Sequence, residues 1–190
     1  ETICKALSSW GKLGEKKIRI SIKLSQTTLL EPNIVESIQR VLKLHEVHPR
    51  QFCLEIDEAV SKLHINELKA VVDRFLASGF AVSLNAHVLN DLALTNEIAL
   101  NEIRFDEACI QMLMSDAECG KHIRQSINMC SDAKQPQSVA LGISNQEQFE
   151  QLKACGFNIG QGSYFSSPLL ISQFETSCLH LKSSLYKHKK

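Results

Sequence analysis

The sequence lacks an excess of charge of either sign, because 21 Lys and Arg side chains balance 21 Asp and Glu side chains. A net field that would draw the whole molecule to nucleic acid or to an anionic membrane is therefore excluded. The exception is a basic C-terminal tail, for which two interpretations stay open: a solvated chain end, or a contact with RNA or another phosphate-bearing partner. The lysines of this tail are Lys182, Lys187, Lys189 and Lys190.

Long apolar runs are also absent. No segment approaches the roughly 20 apolar residues of a membrane-spanning helix, and none has the pattern of a signal peptide. The seven cysteines include no CxxC pair and none lies at a zinc-like spacing from histidine, which excludes the common zinc modules. An odd, scattered set of cysteines is typical of reduced thiols in the cytoplasm. The first residue is Glu1 rather than methionine, so we expect the chain to be a piece of a longer protein.

What the sequence does have is a regular alternation of short apolar runs with amphipathic segments. Residues 18–24, IRISIKL, place isoleucine or leucine at every second position, which predicts a strand. Residues 64–78 repeat their apolar side chains at helical spacing, and Gly79 ends that helix. The same patterns predict strands at 18–24, 52–56, 80–84, 101–105, 138–142 and 157–160. They predict helices at about 2–10, 34–46, 64–78, 89–96, 107–131, 145–155 and 169–185.

Strands and helices that alternate with short connections form right-handed βαβ units, so the sequence predicts a parallel sheet of six strands. An open doubly wound sheet and a barrel both fit this pattern. A complete eight-stranded barrel takes about 250 residues. If the fold is a barrel, a chain of 190 residues is short by about two β-α units, and we expect these to precede it.

Parallel α/β proteins place their sites at the carboxyl ends of the strands, and the segments found there resemble motifs of the EAL domain family. ISIKLS, LEIDE, VSLNAHV, EIRFD, ALGISNQEQ and NIGQGSYFSSP follow the order of the family's VNLS, LEITE, LDDFG, LKID, AEGVETEEQ and VQGYYFSRP. The resemblance implies an α/β fold, an EAL-type TIM-like (β/α) barrel whose N-terminal β-α units are missing from this chain. Residues 1–175 would form this partial domain, and residues 176–190 the end of the last helix and the basic tail.

The family hydrolyses cyclic di-GMP with two divalent cations, which need mainly carboxylate ligands. Few of the family's ligands are present at the corresponding positions here. Lys23 stands for a metal-binding asparagine, and its ammonium group repels cations. Asn85 and Ala86 replace two aspartates, and Arg104 replaces the catalytic lysine with a group too basic to exchange protons. The pocket positions are Lys23, Glu55, Asn85, Ala86, Arg104, Leu141, Ser144 and Gln161.

Glu55 and Gln161 are the two family residues retained at these positions, whereas Leu141 and Ser144 replace glutamates. A single carboxylate that faces two cationic side chains is an ion-pair cluster rather than a two-metal site, so we expect Glu55 to pair with Lys23 or Arg104. The resemblance therefore implies a protein that is not an enzyme, with no catalytic residues, no bound metal and no cofactor.

Some members of the family act without catalysis, and the resemblance is greatest to members that control the decay of small RNAs. It implies an adaptor that binds the glucose-specific phosphotransferase IIA protein in a pathway in which RNase E degrades the RNAs. It also implies the cytoplasmic domain of a bacterial inner-membrane protein. The partner-binding residues are not indicated, although exposed residues of helices 34–46 and 64–78 and of the barrel mouth are candidates. A homodimer stays open, because active relatives dimerise.

Two other functions remain as alternatives. A sensor that binds cyclic di-GMP without cleaving it is disfavoured, since few of the polar pocket residues are retained. Direct RNA binding is disfavoured by the zero net charge, because phosphate neutralisation supplies most of the non-specific affinity for nucleic acid.

Overall fold

A computed structural model describes residues 1–12, 18–56, 65–86, 98–115, 121, 123, 127 and 136–179, and the structural statements below concern these residues. The strands are β1 (Ile20–Leu24), β2 (Phe52–Ile56), β3 (Ala81–Ala86), β4 (Glu102–Phe105), β5 (Gln137–Ala140) and β6 (Ile159–Gly160). The helices are α1 (Thr2–Lys12), α2 (Gln26–Leu29), α3 (Ile34–Leu44), α4 (Ile65–Ala77), α5 (Glu107–Ser115), α6 (Gln146–Ala154) and α7 (Ile171–Phe174). A 3-10 turn (Pro49–Gln51) precedes β2, and a π-helical turn (Glu175–Leu179) follows α7.

The six strands form one parallel sheet in the order β1-β2-β3-β4-β5-β6. Each strand pairs with the next strand along the chain, so the order never reverses. A doubly wound sheet has a point at which the strand order reverses, whereas a barrel does not. The strand order therefore decides between the two predicted architectures in favour of the partial barrel.

The two faces of the sheet differ in chemistry because successive side chains of a strand point to opposite faces. One face carries buried apolar side chains such as Leu54, Val82 and Ile103, which belong to two hydrophobic clusters shared with the helices. The opposite face carries buried polar side chains, among them Ser83, Glu102 and Arg104. The first face holds the helices on the sheet, and the second is the inner face on which the candidate site lies.

Helix α4 buries the apolar side chains that recur at helical spacing in its sequence. Leu68, Val72 and Phe75 recur at helical spacing and are almost fully buried. The helix ends where Gly79 adopts a φ of 85°, a conformation that favours glycine, and its N–H donates to the carbonyl of Leu76 at 2.9 Å. The helix predicted at 64–78 and its glycine stop are confirmed.

Two asparagines hold neighbouring strands together just before a strand begins. Asn101 precedes β4, and its side-chain oxygen accepts a hydrogen bond of 2.8 Å from the N–H of Val82 in β3. Asn158 precedes β6, and its side-chain oxygen accepts one of 2.8 Å from the N–H of Ser138 in β5. Each asparagine also bonds its neighbour strand through its own N–H. These side chains fix the start, and hence the register, of the strands that carry Arg104 and Gln161.

The two ends of the described chain meet on the helical side of the sheet. The indole N–H of Trp10 in α1 donates to the Glu175 carboxylate at 2.7 Å, and the Trp10 and Phe174 rings lie 5.3 Å apart between centroids. None of the helices in the described ranges is long and apolar enough to cross a membrane.

Several predicted bounds differ from those of the structure. β5 begins one residue early and ends at Ala140, because Gly142 turns the chain with a φ of 80°. The helix predicted at 169–185 is a short α-helix that continues as a π-helical turn to Leu179. The short helix α2 was not predicted. The helix predicted at 89–96 and the basic tail lie outside the described residues.

Candidate functional site at the carboxyl edge of the sheet

The parallel register brings four of the predicted pocket residues to one edge of the sheet. Lys23 in β1 lies opposite Glu55 in β2, and Asn85 in β3 lies opposite Arg104 in β4. Arg104 Nη2 is 3.2 Å from Glu55 Oε1, and both side chains are largely buried. The predicted pairing of Glu55 with a cation is confirmed for Arg104.

Gln161 joins this cluster from the loop that follows β6. Its side-chain oxygen accepts a hydrogen bond of 2.5 Å from Arg104 Nη2. Its backbone is fixed by a hydrogen bond from its N–H to Ala140 and by another from the N–H of Ile143 to its carbonyl. The close approach of this loop to Ile143 requires glycine at position 162, because a Cβ there would overlap the backbone of Ile143. The GQG segment thus places Gln161 against Arg104.

Two residues of the network were missed by the sequence analysis, Glu102 and Arg19. Glu102 begins β4, is 3% exposed, and its Oε2 lies 3.6 Å from Arg104 Nη1. Its Oε1 accepts a short hydrogen bond from Arg19 Nη2, which reaches it from the residue just before β1. The sequence did contain a signal for Glu102, because it lies two residues before Arg104 in the same strand and so shares its face of the sheet. A charged side chain buried on that face needs a partner of opposite charge. We call Arg19, Glu102, Arg104, Glu55 and Gln161 the arginine network.

Within the described residues, several buried polar atoms beside the arginine network have no hydrogen-bond partner. They include Asn85 Oδ1 and Arg104 Nε, and both residues are less than 9% exposed. Ser83 Oγ, one position below Asn85 on the inner face, is a third. Buried polar atoms are normally satisfied by protein, water or a ligand. Asn85 Oδ1 is an acceptor and Arg104 Nε a donor, so the two can hold a polar group of either character.

The other predicted positions do not contact the arginine network through any hydrogen bond or ion pair of the described residues. Ser144 lies in the turn before α6, where its Oγ donates to Gln148 Oε1 at 2.9 Å. Leu141 is half-buried, and its N–H donates to the carbonyl of Phe105. Ala86 ends β3 opposite Phe105.

The described residues do not by themselves fit the two-cation centre of the family. Across those ranges, no group of three or more His, Cys, Asp and Glu side chains could hold a metal. The carboxylate of Glu55 already faces the guanidinium of Arg104. Asn85, opposite Arg104 on the neighbouring strand, offers only the neutral oxygen Oδ1. The segments 57–64 and 87–97, which follow β2 and β3, lie outside the described residues.

Cys53 lies on the inner face beneath Glu55 and gives the molecule a predictable response to alkaline pH. Burial, followed by the negative charge of Glu102, raises the pKa of the Cys53 thiol from 9.0 to about 11. The unfolded chain ionises this thiol near pH 9, whereas the folded chain keeps it protonated until about pH 11. The free energy of unfolding therefore keeps its full value below pH 9 and falls as the pH rises from 9 towards 11. Urea unfolding at pH 8 and pH 10.5 should show a smaller alkaline loss for Cys53→Ala than for the parent. Equal losses in the two proteins would contradict this.

Comparison with known proteins shows which proteins this chain resembles in sequence and in structure. The chain is 22% identical to the bifunctional diguanylate cyclase/cyclic di-GMP phosphodiesterase MucR of Pseudomonas aeruginosa, over 92% of this chain and 26% of the relative. It is similar in structure to the EAL domain of Mycobacterium smegmatis DcpA, with a TM-score of 0.80, 24% identity and coverage of 94% and 81%. The MucR phosphodiesterase in complex with c-di-GMP gives a TM-score of 0.79, 20% identity and coverage of 90% and 70%. The chain spans well under half the length of the curated relatives it matches.

These comparisons contradict one prediction from the sequence. The chain was predicted not to be an enzyme, yet proteins it matches in sequence and in structure carry the name of cyclic-di-GMP phosphodiesterases. Substitutions at single pocket positions are therefore not sufficient to exclude activity. A profile of the EAL domain family matches residues 1–168, and the chain accordingly belongs to the EAL domain family.

Proposed function

We propose that this chain is a signalling domain of the EAL family that acts as an adaptor by binding a protein partner. The observation that carries the proposal is the arginine network on the inner face of the sheet, in which Glu102 lies between Arg19 and Arg104, and Glu55 pairs with Arg104. A ligand that displaces Glu55 from Arg104 breaks a buried ion pair, which leaves an uncompensated charge. Binding through the outer surface of the domain needs no such rearrangement.

The proposed partner is the glucose-specific phosphotransferase IIA protein, and the proposed setting is the control of small-RNA decay through the RNase E pathway. The support is sequence resemblance to CsrD, in which the first motif also reads KLS and the third also begins with Asn, here Lys23-Leu24-Ser25 and Asn85. The same resemblance supports a bacterial protein whose cytoplasmic part contains this domain and whose remainder is anchored in the inner membrane. A homodimer of this domain is part of the same proposal.

A second candidate function is binding and turnover of cyclic di-GMP at the carboxyl edge. It is favoured by the unpartnered Asn85 Oδ1 and Arg104 Nε, which are buried beside one another on neighbouring strands. Phosphate oxygens and base edges supply the complementary donors and acceptors. The names of the relatives MucR and DosP connect the fold to cyclic-dinucleotide and sensory proteins.

One set of measurements separates the two candidates. The purified chain is titrated calorimetrically with the phosphotransferase IIA protein in its phosphorylated and unphosphorylated forms. It is then titrated with cyclic di-GMP, and linearisation of the dinucleotide is followed with Mn²⁺ present. The adaptor predicts saturable binding of IIA that depends on its phosphorylation and is unchanged by the dinucleotide. Absence of IIA binding together with saturable binding or linearisation of cyclic di-GMP would overturn the adaptor in favour of the second candidate.

A further inference from the structure

Residues 171–179, which we call the C-terminal strap, pack on the first half of the chain rather than on the strands that precede them. The strap comprises α7 and the π-helical turn. Leu179 is buried in the hydrophobic cluster whose other buried members, among the described residues, run from Cys4 to Ile98. The buried side chains of β4, α5, β5 and α6 form the second cluster, to which no described residue of the strap belongs. The strap therefore crosses from the second half of the chain to the first.

Trp10 of α1 is the residue on which the C-terminal strap docks. Its indole ring is buried, although it lies on a helix at the surface of the sheet. Two successive strap residues contact this ring, since Phe174 stacks at 5.3 Å between centroids and Glu175 accepts the indole N–H at 2.7 Å. A hydrogen bond to a carboxylate is stronger than one between neutral groups, and aromatic pairs add to the burial of their area. Docking therefore depends mainly on three side chains.

The connection that leads to the C-terminal strap does not hold it in place. Every residue from 163 to 170 is exposed, and none of them belongs to either hydrophobic cluster. The strap also keeps local hydrogen bonds of its own, because Gln173 Oε1 accepts from the N–H of Leu170 and the N–H of Phe174 donates to the carbonyl of Leu170, both at 2.9 Å. A segment with few buried contacts opens at a lower free energy than the core of a domain. Leaving Trp10 therefore costs the strap its docking contacts and leaves the sheet intact.

We propose that the C-terminal strap is a conformational device with two states, one docked on Trp10 and one released, and that release precedes unfolding of the sheet. The docked state covers the indole ring, and the released state presents it to solvent. The π-helical turn that carries Glu175 is a rare element, and such turns are frequent at functional sites. The inference goes beyond the adaptor function, because it concerns two states of the domain itself and requires no partner.

Trp10 is the single tryptophan of the sequence, so tryptophan fluorescence reports directly on the docking of the C-terminal strap. The full chain is titrated with urea, and its fluorescence emission is compared with its far-ultraviolet circular dichroism. We expect the emission to shift to longer wavelength at a lower urea concentration than the one at which the ellipticity is lost. Two probes that report the same all-or-none transition coincide. Coincident transitions would therefore overturn the proposal.

The double variant Phe174→Ala with Glu175→Ala tests the same contacts without urea. Quenching of Trp10 fluorescence by acrylamide should rise several-fold in this variant, while its ellipticity stays that of the parent. Glu175→Gln keeps an acceptor for the indole N–H and should stay close to the parent. Ser172→Ala is the matched control, because Ser172 is an exposed residue of the strap, and it should be quenched as the parent is. Unchanged quenching in the double variant, or exposure of Trp10 only together with loss of ellipticity, would mean that the strap is an inseparable part of the fold.

Discussion

Replacing Glu102 with alanine should lower the free energy of unfolding by about 3–5 kcal/mol, the usual result of removing one partner from a buried ion pair. Glu102 is the shared carboxylate between Arg19 and Arg104, and its side chain is 4% exposed. Without it, Arg104 keeps Glu55 and Gln161, but its Nη1 group loses its anionic neighbour inside the sheet. Urea unfolding followed by circular dichroism measures the loss.

Glu36→Ala is the control for this change. Glu36 also pairs with an arginine, Arg74, but both side chains are about half exposed. Exposed pairs are screened by water and salt, so this variant should unfold close to the parent. A Glu102→Ala loss no larger than that of Glu36→Ala would mean that the arginine network does not stabilise the fold.

Gly162→Ala should destabilise the domain by about 1–3 kcal/mol, as overpacking does. The added Cβ would overlap the carbonyl and amide atoms of Ile143, which belong to the backbone and cannot rotate away. The two loops would have to separate, and the hydrogen bond from Arg104 to Gln161 would lengthen. Thermal unfolding measures the cost, and the side-chain amide resonance of Gln161 in an NMR spectrum reports the displaced contact.

Gly11→Ala serves as the opposite control. Gly11 lies in α1, and a Cβ there meets nothing within 4 Å. Alanine is the better helix former, so this change should stabilise the domain by up to about 1 kcal/mol. If both glycine variants changed the stability in the same direction, the close approach at Gly162 would not be the cause of its effect.

The strands and helices were predictable because the spacing of apolar residues that specifies each of them lies within one short segment of the sequence. Alternation at period 2 in residues 18–24 and helical spacing in residues 64–78 found β1 and α4 within two residues of their observed bounds. The predicted choice between a barrel and a doubly wound sheet could not be made from periodicity, since both repeat the same βαβ unit. It required the strand order, which is a property of the folded sheet.

The candidate site was only partly predictable. Strand ends placed Glu55 and Arg104 together, since the carboxyl ends of parallel strands share one edge. The contact between Arg19 and Glu102 was missed because it joins residues 83 positions apart and depends on which inner-face side chains meet across two intervening strands. The exclusion of enzymatic activity was wrong because it rested on the substituted pocket positions alone, whereas the chain's relatives include named phosphodiesterases.

The strand order has a consequence for how the molecule assembles. Because each strand pairs with its successor, every pairing closes a loop of only roughly twenty to thirty-five residues, a modest entropic cost. Such a sheet can grow one unit at a time as the chain leaves the ribosome, and an array of this kind tends to unravel piecemeal from its ends. The Arg19–Glu102 ion pair spans that array, because it joins the segment before β1 to β4. We therefore expect the units from β1 to β4 to unfold together rather than one by one.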